Sequence, residues 1–135
     1  MKGTIAAIFI AFMLSGCADK KNKSKALLDS VINIHDKVMS ADEQVMKNKM
    51  QLDTLLKQDK SPAKGTIKLL ITKLDIADSD MDNWMHNFDP AHTGKTEDET
   101  VAYMESQKKQ IMAIDSALNA AVSGSNKYLL KIKVK

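Results

Sequence analysis

The sequence predicts an all-α fold: an antiparallel, up-down-up bundle of three helices behind an N-terminal lipoprotein signal. Three observations carry this expectation. Apolar residues recur at helical spacing through three long stretches, two short connections join those stretches, and no segment alternates long enough to make a strand. The C-terminal KIKVK does alternate, but it is too short and too charged to build a sheet. The 135 residues suffice for one domain, and 44% apolar with 27% charged residues is the composition of a folded chain.

Residues 1–16 have the three parts of an export signal: a positive Lys2, an apolar run over 5–14, and the small residues Ser15 and Gly16. The run is shorter than the about 20 residues that a membrane-spanning helix needs. It leads into Leu14-Ser15-Gly16-Cys17, which resembles the lipobox of bacterial lipoproteins. That resemblance implies alkylation of the Cys17 thiol with diacylglycerol and cleavage just before it, so that Cys17 becomes a lipidated N-terminus. Two or more acyl chains of the palmitate kind hold a membrane stably, at about 0.8 kcal/mol per buried CH₂. Cys17 is the single cysteine, which leaves no internal disulfide. Residues 17–24 read as the lipidated cysteine and a polar, disordered tether, with residues 25–135 as the bundle. The expected location is the cell envelope, with the bundle outside the cytoplasm on the periplasmic side.

The first helix is expected over roughly 25–58, a stretch without proline or glycine. With His35 at angle zero, Leu28, Met39, Met46 and Met50 fall near it, while Val31, Ile34, Val38, Val45, Leu52 and Leu56 fill the adjoining arc. Ser61 can cap the second helix and Pro62 suits its first turn. That helix, over roughly 62–87, puts Ile67, Leu70, Ile71, Leu74, Ala77, Met81, Trp84, Met85 and Phe88 on one face, with Asp78 among them. Residues 88–95 hold a proline and a glycine and read as a loop. Thr96-Glu97-Asp98-Glu99 is a capping box. The third helix carries its stripe on Val101, Met104, Ile111, Met112, Leu118 and Val122, with Lys108 and Asp115 set into it. It is expected to run on through Gly124 to Leu130; a short fourth segment is the alternative.

All 20 basic residues are Lys and none is Arg, which speaks against nucleic-acid and phosphate readout by a planar fork. No nucleophile with its base and oxyanion donor stands out, so the chain is not expected to be an enzyme.

Folding the helices back about their loops sets residue 35 opposite 86 and 39 opposite 82, then 85 opposite about 98 and 81 opposite about 102. His35, Met39, Met81, Met85 and Met104 then share one level beside Trp84, near the tether. Two readings stay open. The methionines are adaptable core filler in contact with Trp84, or His35, Met39, Met81 and Met85 gather a soft cation, above all Cu(I), with His86 and His92 close by. No cysteine pair or HExxH string supports zinc. Asp42, Asp78 and Lys108 form a second layer, in which an Asp78–Lys108 bridge would fix register. The run Asp75, Asp78, Asp80, Asp82 lacks the glycine and terminal glutamate of a calcium loop and reads as a solvated helix face.

The HDxVM stretch His35-Asp36-Lys37-Val38-Met39, the WMxxF stretch Trp84-Met85-His86-Asn87-Phe88 and the following Tyr103-Met104-Glu105-Ser106-Gln107-Lys108 together resemble a set of small exported lipoproteins. Its members often bear the label viral A-type inclusion protein, which describes coiled-coil likeness. Met104 departs from the leucine common at that place. The resemblance implies a helical lipoprotein and supplies no activity. The function expected is therefore that of a membrane-anchored helical module that binds an envelope protein partner or a second copy of itself, with Cu(I) handling as the alternative.

Overall fold

Long proline-free runs fold as three helices in a computed structural model that describes residues 15–58 and 63–133. These are α1 (Ser15–Gln58), α2 (Lys64–Asn87) and α3 (Glu97–Lys133). They pack as the expected three-helix bundle, with no strand among the described residues. The leader over 1–14 and the Ser61–Pro62 start of the second helix lie outside the described residues. So does the end of the KIKVK tail.

The buried positions step by seven. The line so stepped is Ser24, Val31, Val38, Val45 and Leu52 in α1, Ile67, Leu74 and Met81 in α2, and Met104, Ile111, Leu118 and Ser125 in α3, with Asn48, Ala77, Trp84, Thr100, Ala121 and Leu129 buried beside it. A strict seven-residue repeat keeps one seam facing the neighbours and imposes a left-handed supercoil. This seam is the arc adjoining His35 and not the arc that holds the methionines. Met39, Met46 and Met50 are 40 to 68% exposed, and Met112, expected in the α3 stripe, is turned out to solvent as well. The core-filler reading therefore holds for Met81 and Met104, and in part for Met85, which packs half-buried against the core.

α1 and α3 run parallel with an offset of 77 to 78 residues, as the Asn48–Ser125 and Lys37–Asp115 contacts show. α2 runs antiparallel between them and is the shortest of the three, with 24 residues. α1 begins earlier than expected, because the segment read as a disordered tether is helix. Part of the support for this segment comes from α3. Its first turns carry Asp98 and Glu105, which hold Lys20 at 2.7 Å and Lys23 at 2.7 Å, and Ser24 returns a hydrogen bond to the Lys21 carbonyl. Exposed pairs of this kind contribute only a few tenths of a kcal/mol each, but the segment has no helix breaker to oppose them.

Gly124 does not interrupt α3. Its Cα leaves room beside Leu70, and the helix runs unbroken to Lys133. The capping box forms as read: the Glu99 N–H reaches Thr96 Oγ1 at 3.3 Å, and the Thr96 N–H reaches the Glu99 carboxylate at 2.8 Å. Among the described residues the buried core lies between Ser24 and Leu129. No helix among the described residues is long and apolar enough to cross a membrane.

Candidate functional site

The α1–α2 seam opens in its middle into a cleft of about 200 Å³, lined by Val38, Met39, Asp42, Met46, Asp78, Met81, Asp82, Met85 and Leu118. Helical spacing builds it. Met39, Asp42 and Met46 stand three and four residues apart on one side of α1; Asp78, Met81, Asp82 and Met85 do the same on α2. Met81 is nearly buried and belongs to the floor, whereas Met39 and Met46 are half exposed and belong to the rim. Four thioethers and three carboxylates thus face one space.

Of the four expected ligands, Met39, Met81 and Met85 come together here. His35 does not line the cleft. Its ring lies 6.2 Å from Trp84, tilted by 38°, and its Nδ1 is 3.0 Å from an Asp36 carboxylate oxygen. Its place is taken by Met46, which the sequence reading set on the same arc without making it a ligand; its seven-residue step from Met39 is the signal that could have found it. Among the described residues no group of three or more His, Cys, Asp or Glu side chains is placed to hold a metal. The soft donors of the cleft are thioethers alone.

Met104 stands elsewhere. It is fully buried in α3, about four turns nearer the α1 N-terminus than Leu118, the α3 residue of the cleft. The expected α1–α2 levels agree with the structure and the α2–α3 levels miss by about three turns or more, since Met81 lies level with Leu118 and Leu70 with Gly124. The reason is the connection. Residues 88–96 do not fold back as a tight hairpin; they climb along the first two turns of α3. Asp89 organises the climb, its carboxylate accepting from the Ala91 and Thr93 N–H groups, while its own N–H donates to Tyr103 Oη at 2.8 Å. His92 takes a left-handed φ of 43° and sits against Thr100, and Gly94 follows at 76°, a conformation that glycine adopts without strain. The Lys95 ammonium lies 4.7 Å over the Tyr103 ring.

This connection closes a row of rings: His35 against Trp84, Trp84 stacked on Phe88 at 4.7 Å, and Phe88 on Tyr103 at 6.4 Å. His86 lies exposed on the last turn of α2 with Nδ1 at 2.7 Å from the Asp82 carbonyl, and His92 belongs to the loop, so neither joins the cleft.

The expected Asp78–Lys108 bridge is not formed. Lys49 of α1 is the cation: it holds Asp75 at 2.6 Å and Asp78 at 3.7 Å. The hydrogen bond from Asp75 raises the Lys49 pKa above its ordinary 10.5, against the opposing effect of burial. Asp115, the other charge set into the α3 stripe, pairs with Lys37 at 2.7 Å and accepts from Asn119. Comparison with protein-family models, with curated proteins and with solved structures finds no match for this chain.

Proposed function

We propose that this chain is an exported lipoprotein of the cell envelope, anchored through Cys17, whose helical body binds a partner protein in the Met- and Asp-lined cleft between α1 and α2. The cleft carries the reading. Methionine is unbranched and polarisable, so a rim of Met39 and Met46 over Met81 and Met85 adapts to many apolar shapes. Asp42, Asp78 and Asp82 add negative charge to the same space. A partner helix with an apolar stripe and basic flanks matches both properties. The anchor rests on the leader, on Leu14-Ser15-Gly16-Cys17 and on the resemblance to small exported lipoproteins. With Cys17 inside α1, the lipid would attach to helix directly and the body would stand on the membrane without a slack tether.

A second reading is Cu(I) binding, favoured by the convergence of Met39, Met46, Met81 and Met85 on one cleft, since thioether sulfur suits that ion. One experiment serves both. Protein labelled with ¹³C at the methionine methyls is titrated with a basic amphipathic peptide and, separately, with Cu(I) held by a competing chelator under reducing conditions. Peptide shifts confined to the cleft methyls, with Met104 and Met112 unmoved, support partner binding. The same pattern with Cu(I), abolished by Met85→Leu, supports the second reading. A spectrum that neither ligand perturbs removes both. Lipidation is tested apart from these, by the mass of the first peptide of the natural product.

A further inference from the structure

The bundle is electrically polarised along its length. The Lys49–Asp75 pair divides the described residues into two parts. On the side that holds Cys17, residues 18–49 and 75–122 carry ten lysines and fifteen acidic residues. Beyond the pair, where α1 ends, α2 begins and α3 ends, the described side chains include six lysines, Lys57, Lys64, Lys68, Lys73, Lys127 and Lys131, and one acid, Asp53. All six lysines are exposed, and none forms an ion pair among the described residues. Asp53 itself lies close enough to Lys49 to act on its charge. The tertiary structure creates this tip, because it brings together three chain segments that are far apart in sequence.

The tip is also apolar. A shallow groove of about 360 Å³ runs between α1 and α3, lined by Met50, Gln51, Thr54, Leu55, Leu129 and Ile132. Next to it in the chain, Leu130 is 63% exposed. Large aliphatic side chains left in water beside unpaired ammonium groups are costly unless something covers them.

We propose that this tip docks on an anionic phospholipid surface. Each lysine near such a surface adds to the attraction, and exposed Leu and Met side chains enter the headgroup–acyl boundary. A soluble polyanion would use the lysines but leave the aliphatic groove uncovered. Lysine in place of arginine suits a diffuse negative surface, where a point charge suffices and no bidentate fork is needed. The tip stands about 60 Å from Cys17 along α1. It is a second membrane contact, separate from the proposed lipid anchor and independent of the cleft.

The test uses residues 18–135, which retain every buried residue of the described core and lack the leader and Cys17, with cooperative thermal unfolding confirming the fold of this fragment and of each variant. Binding is measured to phosphatidylcholine vesicles with and without phosphatidylglycerol. An environment-sensitive dye placed through Leu130→Cys reports insertion. The expected result is binding that requires phosphatidylglycerol, weakens with salt and shifts the dye to the blue. Reversal of Lys64, Lys68, Lys127 and Lys131 to Glu should weaken it about a hundredfold or more. Reversal of Lys20, Lys21, Lys23 and Lys25, at the other end, should change it less than threefold. Equal binding to both vesicle types, a larger loss from the second set, or tight binding to soluble polyglutamate with no dye shift on vesicles would each overturn the proposal.

Discussion

Asn48 of α1 donates a 2.7 Å hydrogen bond to Ser125 of α3 in the middle of the core, with both residues fully buried. The group is closed on all sides. The second Asn48 N–H reaches Asn126 at 2.9 Å, its carbonyl oxygen accepts from Gln44 at 2.7 Å, and the Ser125 hydroxyl has the Ala121 and Val122 carbonyls to donate to. A satisfied polar layer costs little stability and forbids slippage, since a shift of one heptad would leave Asn48 facing an apolar seam.

Ser125→Ala is therefore expected to destabilise the bundle by about 1–3 kcal/mol, because it strands a buried amide donor. Asn48→Leu combined with Ser125→Ala should recover most of that loss. Urea unfolding of the two single variants and the double variant closes the cycle. A double variant no more stable than the sum of the singles would show that the pair is not coupled.

The N-terminus of α3 has a pH signature. Hydrogen bonds from the Thr96 backbone and hydroxyl hold the Glu99 pKa below its ordinary 4.5. A depressed carboxyl pKa contributes stability above the unfolded value, which is lost as pH falls through the folded one. Thr96→Ala should cost about 1 kcal/mol at neutral pH. The gap between variant and wild type in thermal melts should narrow below pH 4.5. A gap of constant size down to pH 3 would mean that the bond from the Thr96 hydroxyl to the Glu99 carboxylate adds nothing, leaving the Glu99 N–H bond to Thr96 Oγ1 as the whole of the effect.

At the opposite end of the scale, Lys49 has a raised pKa, so its contribution is present at neutral pH and is lost as pH climbs past its folded value. Asp75 is half exposed, which limits the effect to about 1 kcal/mol or less. Lys49→Met should be measurably less stable than wild type at pH 7 and indistinguishable from it in strongly alkaline buffer. Unfolding curves at both pH values decide it.

Gly124→Ala is expected to stabilise α3 by about 0.5–1 kcal/mol. A Cβ there meets only Leu70 Cδ2, at 3.8 Å, an ordinary contact, while the unfolded chain loses backbone freedom. A lowered melting temperature would show that the position is tighter than its geometry.

Met104 and Met112 have the same chemistry in opposite places. Met104→Ala should cost about 2–5 kcal/mol, as a core cavity does. Met112→Ala should stay within about 0.5 kcal/mol. Equal costs would place both side chains in the core.

Local signals determined much of this protein. Three apolar stripes, the Thr96–Glu99 box and the loop punctuation at Pro90 and Gly94 identify three helices and the start of the third, since these depend on neighbours in the chain. The short α1–α2 connection was enough to bring Met39 to Met81 and Met85. What only the tertiary structure decided is which arc of each helix is the seam. Two apolar arcs adjoin on α1, and the seven-step line through Val31, Val38 and Val45 is core because β-branched side chains meet partners on α2 and α3 there. The methionine arc was left as a rim. The level of α3 was equally out of reach of spacing, because it depends on Asp89, His92 and Tyr103 making residues 88–96 climb instead of turn. Helical residues 18–24 likewise meet Asp98 and Glu105, some 80 positions along the chain, through Lys20 and Lys23. Periodicity reports which side of a helix is apolar; only packing reports what that side meets.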